Sequence, residues 1–186
     1  VKILRMSEDV DIKLIPKSAF DELSRAKKKA ARKGCINEIE QVVTQSERFT
    51  VESRTLRDEY RYVELELKYP QQFNQAPCLR PIIKLELMET IPLLDVEARS
   101  IQSLVSELYK QPQEVEVFDC VSIHATLVEK VISMLRRTMS VKRNAQRQDD
   151  ATLVRHIYDV YCIFKAEERA DYLNFKTLTP IFKTVL

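Results

Sequence analysis

Two aspartates near the start of the chain are the residues whose types and spacing best fit a chemical role. Asp9 and Asp11 alternate with the apolar residues Val10, Ile12 and Leu14. In a β-strand, alternate side chains share a face, so the two carboxylates would lie about 6–7 Å apart. Such carboxylates can converge on the two divalent cations, about 4 Å apart, of phosphoryl-transfer enzymes. The pattern therefore predicts a site for Mg²⁺, or Mn²⁺, which completes its shell with water and substrate phosphates.

The other interpretation of this pair is a solvent-facing edge strand or turn. Like charges on one strand face repel each other, and Asp is a poor strand former. Without a counter-cation, an alternating strand would gain nothing from two aspartates on one face. We therefore favour the metal-site interpretation.

A third carboxylate is needed to complete such a site and to orient or deprotonate an attacking hydroxyl. In the predicted strand 81–89, Lys84 and Glu86 share one face and the apolar residues between them share the other. Glu86 is our candidate for the third metal ligand. Glu64 and Glu66 on the preceding predicted strand are alternatives, and an ordinary exposed face of alternating Lys and Glu is the competing interpretation.

Composition excludes several other classes of site. The chain has 186 residues, of which 45% are apolar and 31% charged, enough for one core or for a domain with a helical subdomain. Its one glycine excludes a Walker A loop and a Rossmann fingerprint within this sequence. The four cysteines form no C-x-x-C pair, which disfavours a zinc site and fits reduced thiols in a cytoplasmic protein. No apolar run reaches the roughly 18 residues of a membrane span, so we expect no membrane contact.

Periodicity and turn residues predict an α+β fold. Helices are predicted at 19–33, ended by Gly34, and at 36–46, and an antiparallel strand pair at 60–69 and 81–89. A short extension is predicted at 92–97, a short helix at 101–109 and a strand at 114–122. The remaining helices are predicted at 125–139, at 151–168 and from 171 onward. A mixed or antiparallel sheet is thus followed by a helical part, with predicted domains at 1–122 and 123–186.

Basic residues concentrate in two segments, 25–33 and 136–147. Clusters of this kind are usually solvated helix faces or loops. The alternative is a contact with the phosphates of RNA or DNA, which would give binding a steep salt dependence.

The segment R-M-S-E-D-V-D-I-K-L, residues 5–14, resembles the first catalytic strand of the AbiEii-type nucleotidyltransferases, bacterial relatives of DNA polymerase beta. That family has a Gly-Gly-Ser/Thr segment upstream of this strand. Because the chain begins with Val1 rather than Met, we expect the glycines to lie in a segment that precedes it. The resemblance implies that Arg5 and Ser7 contact the nucleotide, as would Lys84 on the later strand.

Two later helices also resemble motifs of this family. Residues 127–137 resemble its lysine helix, which implies that Lys130 binds the triphosphate; a lysine with its stem on the core is the alternative. Residues 155–163 resemble its Arg-Asp-x-x-Asp-Leu helix, although His156 stands where the family often has Asp. Here Asp159 would orient Lys130 or touch substrate, and Arg155 would contact the nucleotide.

The alternative for Arg155 and Asp159 is an exposed i,i+4 ion pair that contributes little to stability. In that interpretation both residues lie away from an apolar stripe on the same helix, formed by Leu153, Ile157, Tyr161 and Phe164.

Taken over the chain, the resemblance implies a polymerase-beta-like nucleotidyltransferase fold with a C-terminal helical subdomain. The implied reaction transfers a nucleoside monophosphate from a nucleoside triphosphate to an acceptor, either RNA such as tRNA or a protein. Asp9 and Asp11 would hold two Mg²⁺ ions, Glu86 would orient the nucleophile and Lys130 would neutralise the triphosphate. Family members act as toxins in toxin–antitoxin or phage-defence systems, so a cognate antitoxin is an expected partner. The alternative is a non-catalytic RNA- or protein-binding module that retains the fold.

Overall fold

A computed structural model describes residues 9–71, 81–92, 94–144 and 153–170, with positions 179, 182 and 183. The chain forms two compact units, of which one ends at Ile91 and the other begins at Pro92. The strand predicted at 114–122 belongs to the unit that begins at Pro92, whereas we predicted it as the end of the domain 1–122. The predicted functional division after Ser122 stays a prediction.

The elements of the unit that ends at Ile91 are β1 (Asp9–Leu14), α1 (Ser18–Asp21), α2 (Arg25–Gln45), β2 (Thr50–Arg57), β3 (Tyr62–Lys68) and β4 (Ile82–Glu89). Its strands form a four-stranded mixed sheet in the order β1-β4-β3-β2. Strand β1 runs parallel to β4, while β3 is antiparallel to both β4 and β2. The predicted antiparallel pair is thereby confirmed as β3 and β4, and the predicted α+β class is confirmed with it.

Strict alternation in β3 and β4 gives the sheet one apolar face, which α2 covers. The fully or almost fully buried residues of this core come from α2, β3 and β4: Ile36, Val63, Leu65, Leu67, Leu85 and Leu87. Each buried aliphatic side chain contributes about 1.5–3 kcal/mol to folding. Burial of these residues therefore determines which face of the sheet packs against α2. The charged residues between them therefore point to the opposite face, away from α2.

The predicted helix end at Gly34 was wrong, because α2 continues through it from Arg25 to Gln45. A glycine inside a helix costs about 1 kcal/mol relative to alanine. Packing of Ile36, Ile39 and Val43 on the sheet outweighs that cost. The long helix begins after Ser24, whose hydroxyl accepts a hydrogen bond from the Lys27 backbone N–H, whereas the predicted helix began at residue 19.

Strand β2 was not predicted from the sequence. Only Val51 and Thr55 of its residues are half-buried, and the others are exposed. It is joined to β3 by a tight turn, Asp58–Tyr60, in which all three residues adopt positive φ angles of 49°, 56° and 69°. Pairing with β3 over nearly its full length, rather than an apolar pattern, makes this segment a strand.

The unit that begins at Pro92 combines a two-stranded sheet with helices. Its elements are β5 (Glu97–Ile101), α3 (Leu104–Leu108), β6 (Val115–Cys120), α4 (Ile123–Arg143) and α5 (Leu153–Ala170). Strands β5 and β6 pair in antiparallel fashion. Strand β6 and helices α3, α4 and α5 fall within or close to the predicted segments. Strand β5 lies after the extension predicted at 92–97 and overlaps it only at Glu97. The helix predicted from 171 lies mainly outside the described residues.

Helices α4 and α5 share an apolar core of Leu127, Val128, Ile132 and Ile163. Ser122 caps α4, since its hydroxyl accepts a hydrogen bond from the Ala125 backbone N–H at 3.2 Å. Among the described residues, none of the helices has both the length and the apolar character needed to cross a membrane.

Candidate active site

Register places the predicted metal ligands side by side on the sheet face that points away from α2. The parallel pairing sets Asp9 beside Lys84 and Asp11 beside Glu86. The antiparallel pairing sets Glu86 beside Glu64. Asp11, Glu86 and Glu64 therefore form one row of carboxylates across three neighbouring strands, with Asp9 in the adjoining row. The structure thus brings together Asp9, Asp11 and Glu86, which the sequence could place only on separate strands.

The carboxylates of this face influence one another electrostatically. Partial burial raises the pKa of Glu86, and the negative charge of Asp11 raises it further. Glu64 and Asp9 add to the same effect, whereas a hydrogen bond from Tyr62 opposes it. Like charges held side by side on a sheet are destabilising unless something neutralises them. A cation bound at this row would remove the repulsion.

A polar network surrounds Glu64 on the same face. Lys84 Nζ donates to Glu64 Oε1 at 3.0 Å and lies 3.9 Å from Glu66 Oε1. The Tyr62 hydroxyl donates to Glu64 Oε2 at 3.1 Å. Lys84 is the main cause of a lowered pKa at Glu64. Sequence reasoning missed Tyr62, although its position two residues before Glu64 on an alternating strand placed it on this face.

The donor chemistry of the face fits a hard divalent cation, although the side chains are not already gathered around one point. Within the described residues, no group of three or more His, Cys, Asp or Glu side chains forms a ready metal cage. Neighbouring strands lie about 4.7–4.9 Å apart, so side-chain rotation alone can turn carboxylates of adjacent strands towards one ion. Carboxylate oxygens are the ligands that Mg²⁺ and Mn²⁺ prefer. Asp9, Asp11 and Glu86 are the residues that would hold the ions.

The second predicted group lies between α4 and α5. Lys130 Nζ donates to Asp159 Oδ2 at 2.7 Å, and Asp159 has no exposed surface. The contact predicted between these two residues is therefore present. Their role in catalysis stays a prediction.

Burial of Asp159 also corrects the predicted faces of α5. The alternative of an exposed Arg155–Asp159 pair was wrong, because Arg155 is exposed while Asp159 is fully buried. The predicted apolar stripe was wrong at Ile157 and Tyr161, which are 59% and 57% exposed. The helix instead turns Asp159 and Ile163 towards α4, because the carboxylate must reach Lys130 and the isoleucine belongs to the shared core.

The residues predicted to contact the nucleotide are Arg5, Ser7, Lys84 and Arg155. Arg5 and Ser7 lie outside the described residues. Arg155 is exposed, and the ammonium of Lys84 already contacts Glu64 and Glu66. Their predicted contacts with the nucleotide stay predictions.

The basic segment 25–33 divides into residues with different tasks. Arg32 is buried and forms a two-pronged ion pair with Glu89, at 2.6 and 2.7 Å. Arg25 is 85% exposed at its side chain and pairs with Glu59. Together with Lys28 and Arg61 they line an open cleft of about 490 Å³. Arg32 is therefore a structural residue, and only its exposed neighbours can contact an external polyanion.

Comparison with known proteins agrees with this geometry. The family model described as "Nucleotidyl transferase AbiEii toxin, Type IV TA system" matches residues 2–184. No curated protein and no solved structure matches the chain. Because the family model covers almost the whole sequence, the chain belongs to the AbiEii family of nucleotidyltransferase toxins of type IV toxin–antitoxin systems.

Proposed function

We propose that this protein transfers a nucleoside monophosphate from a nucleoside triphosphate to an acceptor in a reaction that depends on Mg²⁺ or Mn²⁺. The family supplies the general activity. The observation that carries the metal dependence is the shared sheet face of Asp9, Asp11 and Glu86, in neighbouring register positions. Three carboxylates gathered at one open face are the donor set that phosphoryl transfer requires.

The chain's own residues have distinct tasks in this reaction. Asp9 and Asp11 would hold the metal ions on β1, and Glu86 would do so from β4. Bound divalent ions would neutralise charge on the phosphates during transfer. Glu86 would orient the acceptor hydroxyl and receive its proton on a carboxylate oxygen.

Lys130 would bind a phosphate group of the nucleotide. Its ammonium is held by the buried carboxylate of Asp159, which fixes the direction of the side chain. An oriented cation of this kind stabilises negative charge on leaving pyrophosphate. Arg155, which is exposed on the same helix as Asp159, would supply a further contact with the nucleotide.

We propose RNA, including tRNA, as the acceptor, with a protein acceptor as the other outcome to be tested. The exposed basic residues of segment 25–33 and those of 136–144 suit contact with RNA phosphates. A cognate antitoxin that counteracts the activity follows from the type IV toxin–antitoxin family. The cytoplasm is the proposed location, because RNA and nucleoside triphosphates are found there.

A labelling experiment tests the proposal directly. Each α-³²P-labelled nucleoside triphosphate is incubated with the full protein, Mg²⁺ and total cellular RNA. We expect one nucleotide to label RNA, and an Asp9→Ala/Asp11→Ala variant to label none. Glu52→Gln, which alters an exposed carboxylate paired with Lys68 on the same sheet, is the matched control and is expected to retain transfer.

The other outcomes are equally informative. Label in a protein band in place of RNA would identify a protein acceptor. The absence of transfer from every triphosphate, on RNA and on protein, would contradict the proposal and favour a binding module that keeps the fold.

A further inference from the structure

Three glutamates share the sheet face with Asp9 and Asp11, and they are chemically equivalent as metal ligands. Glu86 lies on β4, whereas Glu64 and Glu66 lie on β3. Sequence alone leaves all three as candidates for the third ligand. The contacts of each side chain in the folded protein distinguish them.

Both carboxylate oxygens of Glu64 are already engaged by side chains of the protein. Lys84 Nζ holds Oε1 at 3.0 Å, and the Tyr62 hydroxyl holds Oε2 at 3.1 Å. The side chains of Lys84 and Glu64 are only 25% and 19% exposed. An ion pair screened from water to this degree holds its geometry better than a surface pair.

Glu66 is engaged in a similar way. Its Oε2 accepts a hydrogen bond from the Ser53 hydroxyl at 2.7 Å, and its Oε1 lies 3.9 Å from Lys84 Nζ. Register also sets Lys84 between Asp9 and Glu66. A cation near Asp9 would therefore meet the Lys84 ammonium before it reached Glu66.

Glu86 has the opposite surroundings. Its register neighbours are carboxylates on both sides, Asp11 on β1 and Glu64 on β3. The Tyr62 hydroxyl donates to Glu64 Oε2 at 3.1 Å. Of the three glutamates, Glu86 is the one that faces Asp11 without an ammonium group in contact with it among the described residues.

We propose that Lys84 and Tyr62 are positioning residues that hold Glu64 away from the metal site, so that Glu86 alone completes the site with Asp9 and Asp11. This inference rests on the proposed function. It reassigns Lys84, for which the family resemblance implied a contact with the nucleotide. Lys84 acts through Glu64 by holding Oε1, and Tyr62 acts through Glu64 by donating to Oε2.

The proposal predicts an unusual combination of effects for Lys84→Met. Removal of the ammonium leaves Glu64 without its counter-charge, and the Glu64 carboxylate is then able to turn along its row towards Glu86 and Asp11. The site gains negative charge, so Mn²⁺ is expected to bind at least about threefold more tightly. Because the added carboxylate disturbs the ligand set, kcat is expected to fall about tenfold or more.

A second substitution separates positioning from direct contact with substrate. In Lys84→Met/Glu64→Gln, the released carboxylate no longer exists, so both Mn²⁺ affinity and kcat are expected to return towards the wild-type values. Glu64→Gln alone is expected to keep Mn²⁺ affinity within about twofold, since this residue is not a ligand. Glu86→Gln is expected to lose most of the Mn²⁺ affinity.

The experiment measures binding of Mn²⁺ alone to the full protein by the loss of its free-ion electron paramagnetic resonance signal, and then kcat and KM for the triphosphate. Lys68→Met, which breaks the exposed ion pair between Lys68 on β3 and Glu52 on β2, is the matched control. It is expected to change neither Mn²⁺ affinity nor the kinetic constants. If Lys84→Met does not fold, as judged by circular dichroism, Tyr62→Phe gives the same test by releasing the other oxygen of Glu64. Its expected effects have the same direction and are smaller.

Failure of this inference differs from failure of the proposed function. Loss of Mn²⁺ binding in Glu64→Gln would overturn the positioning role, as would a raised KM in Lys84→Met that Glu64→Gln does not correct. In either case Asp9→Ala/Asp11→Ala would still abolish Mn²⁺ binding and transfer. If that double variant binds Mn²⁺ as well as wild type, the metal site itself is refuted and both proposals fall.

Discussion

Lys130 on α4 and Asp159 on α5 form an ion pair of 2.7 Å in which the carboxylate has no contact with solvent. The pair lies in the helix pair that also buries Leu127 and Ile163. A buried carboxylate without a partner is strongly unfavourable, so α5 is held in the rotation that brings Asp159 to Lys130. The Lys130–Asp159 contact therefore stabilises this helix pair and also orients the Lys130 ammonium, which we propose binds a phosphate.

Substitution of either partner is expected to destabilise the protein. Lys130→Met removes the ammonium that contacts the buried Asp159 carboxylate, and we expect a loss of about 3–5 kcal/mol in the free energy of unfolding. In Lys130→Met/Asp159→Leu the buried carboxylate is removed as well, so the loss is expected to be smaller than for Lys130→Met alone. Urea denaturation of the wild-type protein and of both variants measures the free energies of unfolding. A double variant less stable than Lys130→Met would contradict the prediction.

Arg32 and Glu89 are expected to contribute more to stability than any exposed pair of the same sheet unit. Arg32 is 6% exposed at its side chain, and its two nitrogens bind both oxygens of Glu89. Arg32→Met is expected to cost about 3 kcal/mol, because it leaves Glu89 mostly without its partner. Arg32→Lys is expected to recover part of this loss, since lysine keeps the charge but not the two-pronged geometry.

The control for this prediction is the Arg25–Glu59 pair, which has the same short distance of 2.6 Å but an 85% exposed arginine. Arg25→Met is expected to leave the urea midpoint unchanged within error, because exposed ion pairs are screened by water. Equal losses for Arg25→Met and Arg32→Met would show that burial does not set the strength of these pairs.

Gly34→Ala is expected to stabilise the protein by about 0.5–1 kcal/mol. Gly34 lies inside α2 with no positive φ angle, and a methyl group added there would meet no atom within 4 Å. Alanine lowers the conformational entropy of the unfolded chain and costs nothing in contacts. Ala31→Gly, an exposed position on the same helix, is the reciprocal variant and is expected to destabilise by a similar amount; thermal unfolding measures both.

Glu114 is expected to make the α3 region sensitive to acid. Its carboxylate accepts hydrogen bonds from the Ser103 and Ser106 hydroxyls and the Ser103 backbone N–H, which lower its pKa to about 2. A folded-state pKa below the ordinary value of 4.5 stabilises the fold above that pH. The contribution is therefore lost as pH falls from about 4.5 towards 2.

Carbon-13 NMR titration of the Glu114 carboxyl measures this pKa directly. Hydrogen exchange at the Ser106 amide is expected to accelerate over the same pH range relative to Glu114→Gln, in which the dependence is absent. Glu116→Gln, on the exposed part of β6, is the matched control and is expected to keep the wild-type acid response. An ordinary pKa at Glu114 would show that the serine hydrogen bonds do not form in solution.

Local pattern was enough to predict the elements that carry the sheet face. Alternation in β1, β3 and β4 is a property of neighbouring residues, and burial of one face then fixes where the carboxylates point. The long helices α4 and α5 also needed no distant information, whereas the polar sequence of β2 carries no such pattern. The family resemblance depended on short motifs, and the family match over 2–184 confirms the family.

The tertiary structure decided which of these residues meet. Strand register, set by packing of the whole sheet, placed Glu86 beside Asp11 and allowed Lys84 to pair with Glu64. Helix packing carried α2 through Gly34, against the local preference of glycine. The rotation of α5 buried Asp159 and exposed Ile157, because one contact with Lys130 and a shared core outweighed the apolar pattern. Alternation and helix periodicity are local and readable from sequence, whereas register and rotation depend on free energy summed over residues far apart in the chain.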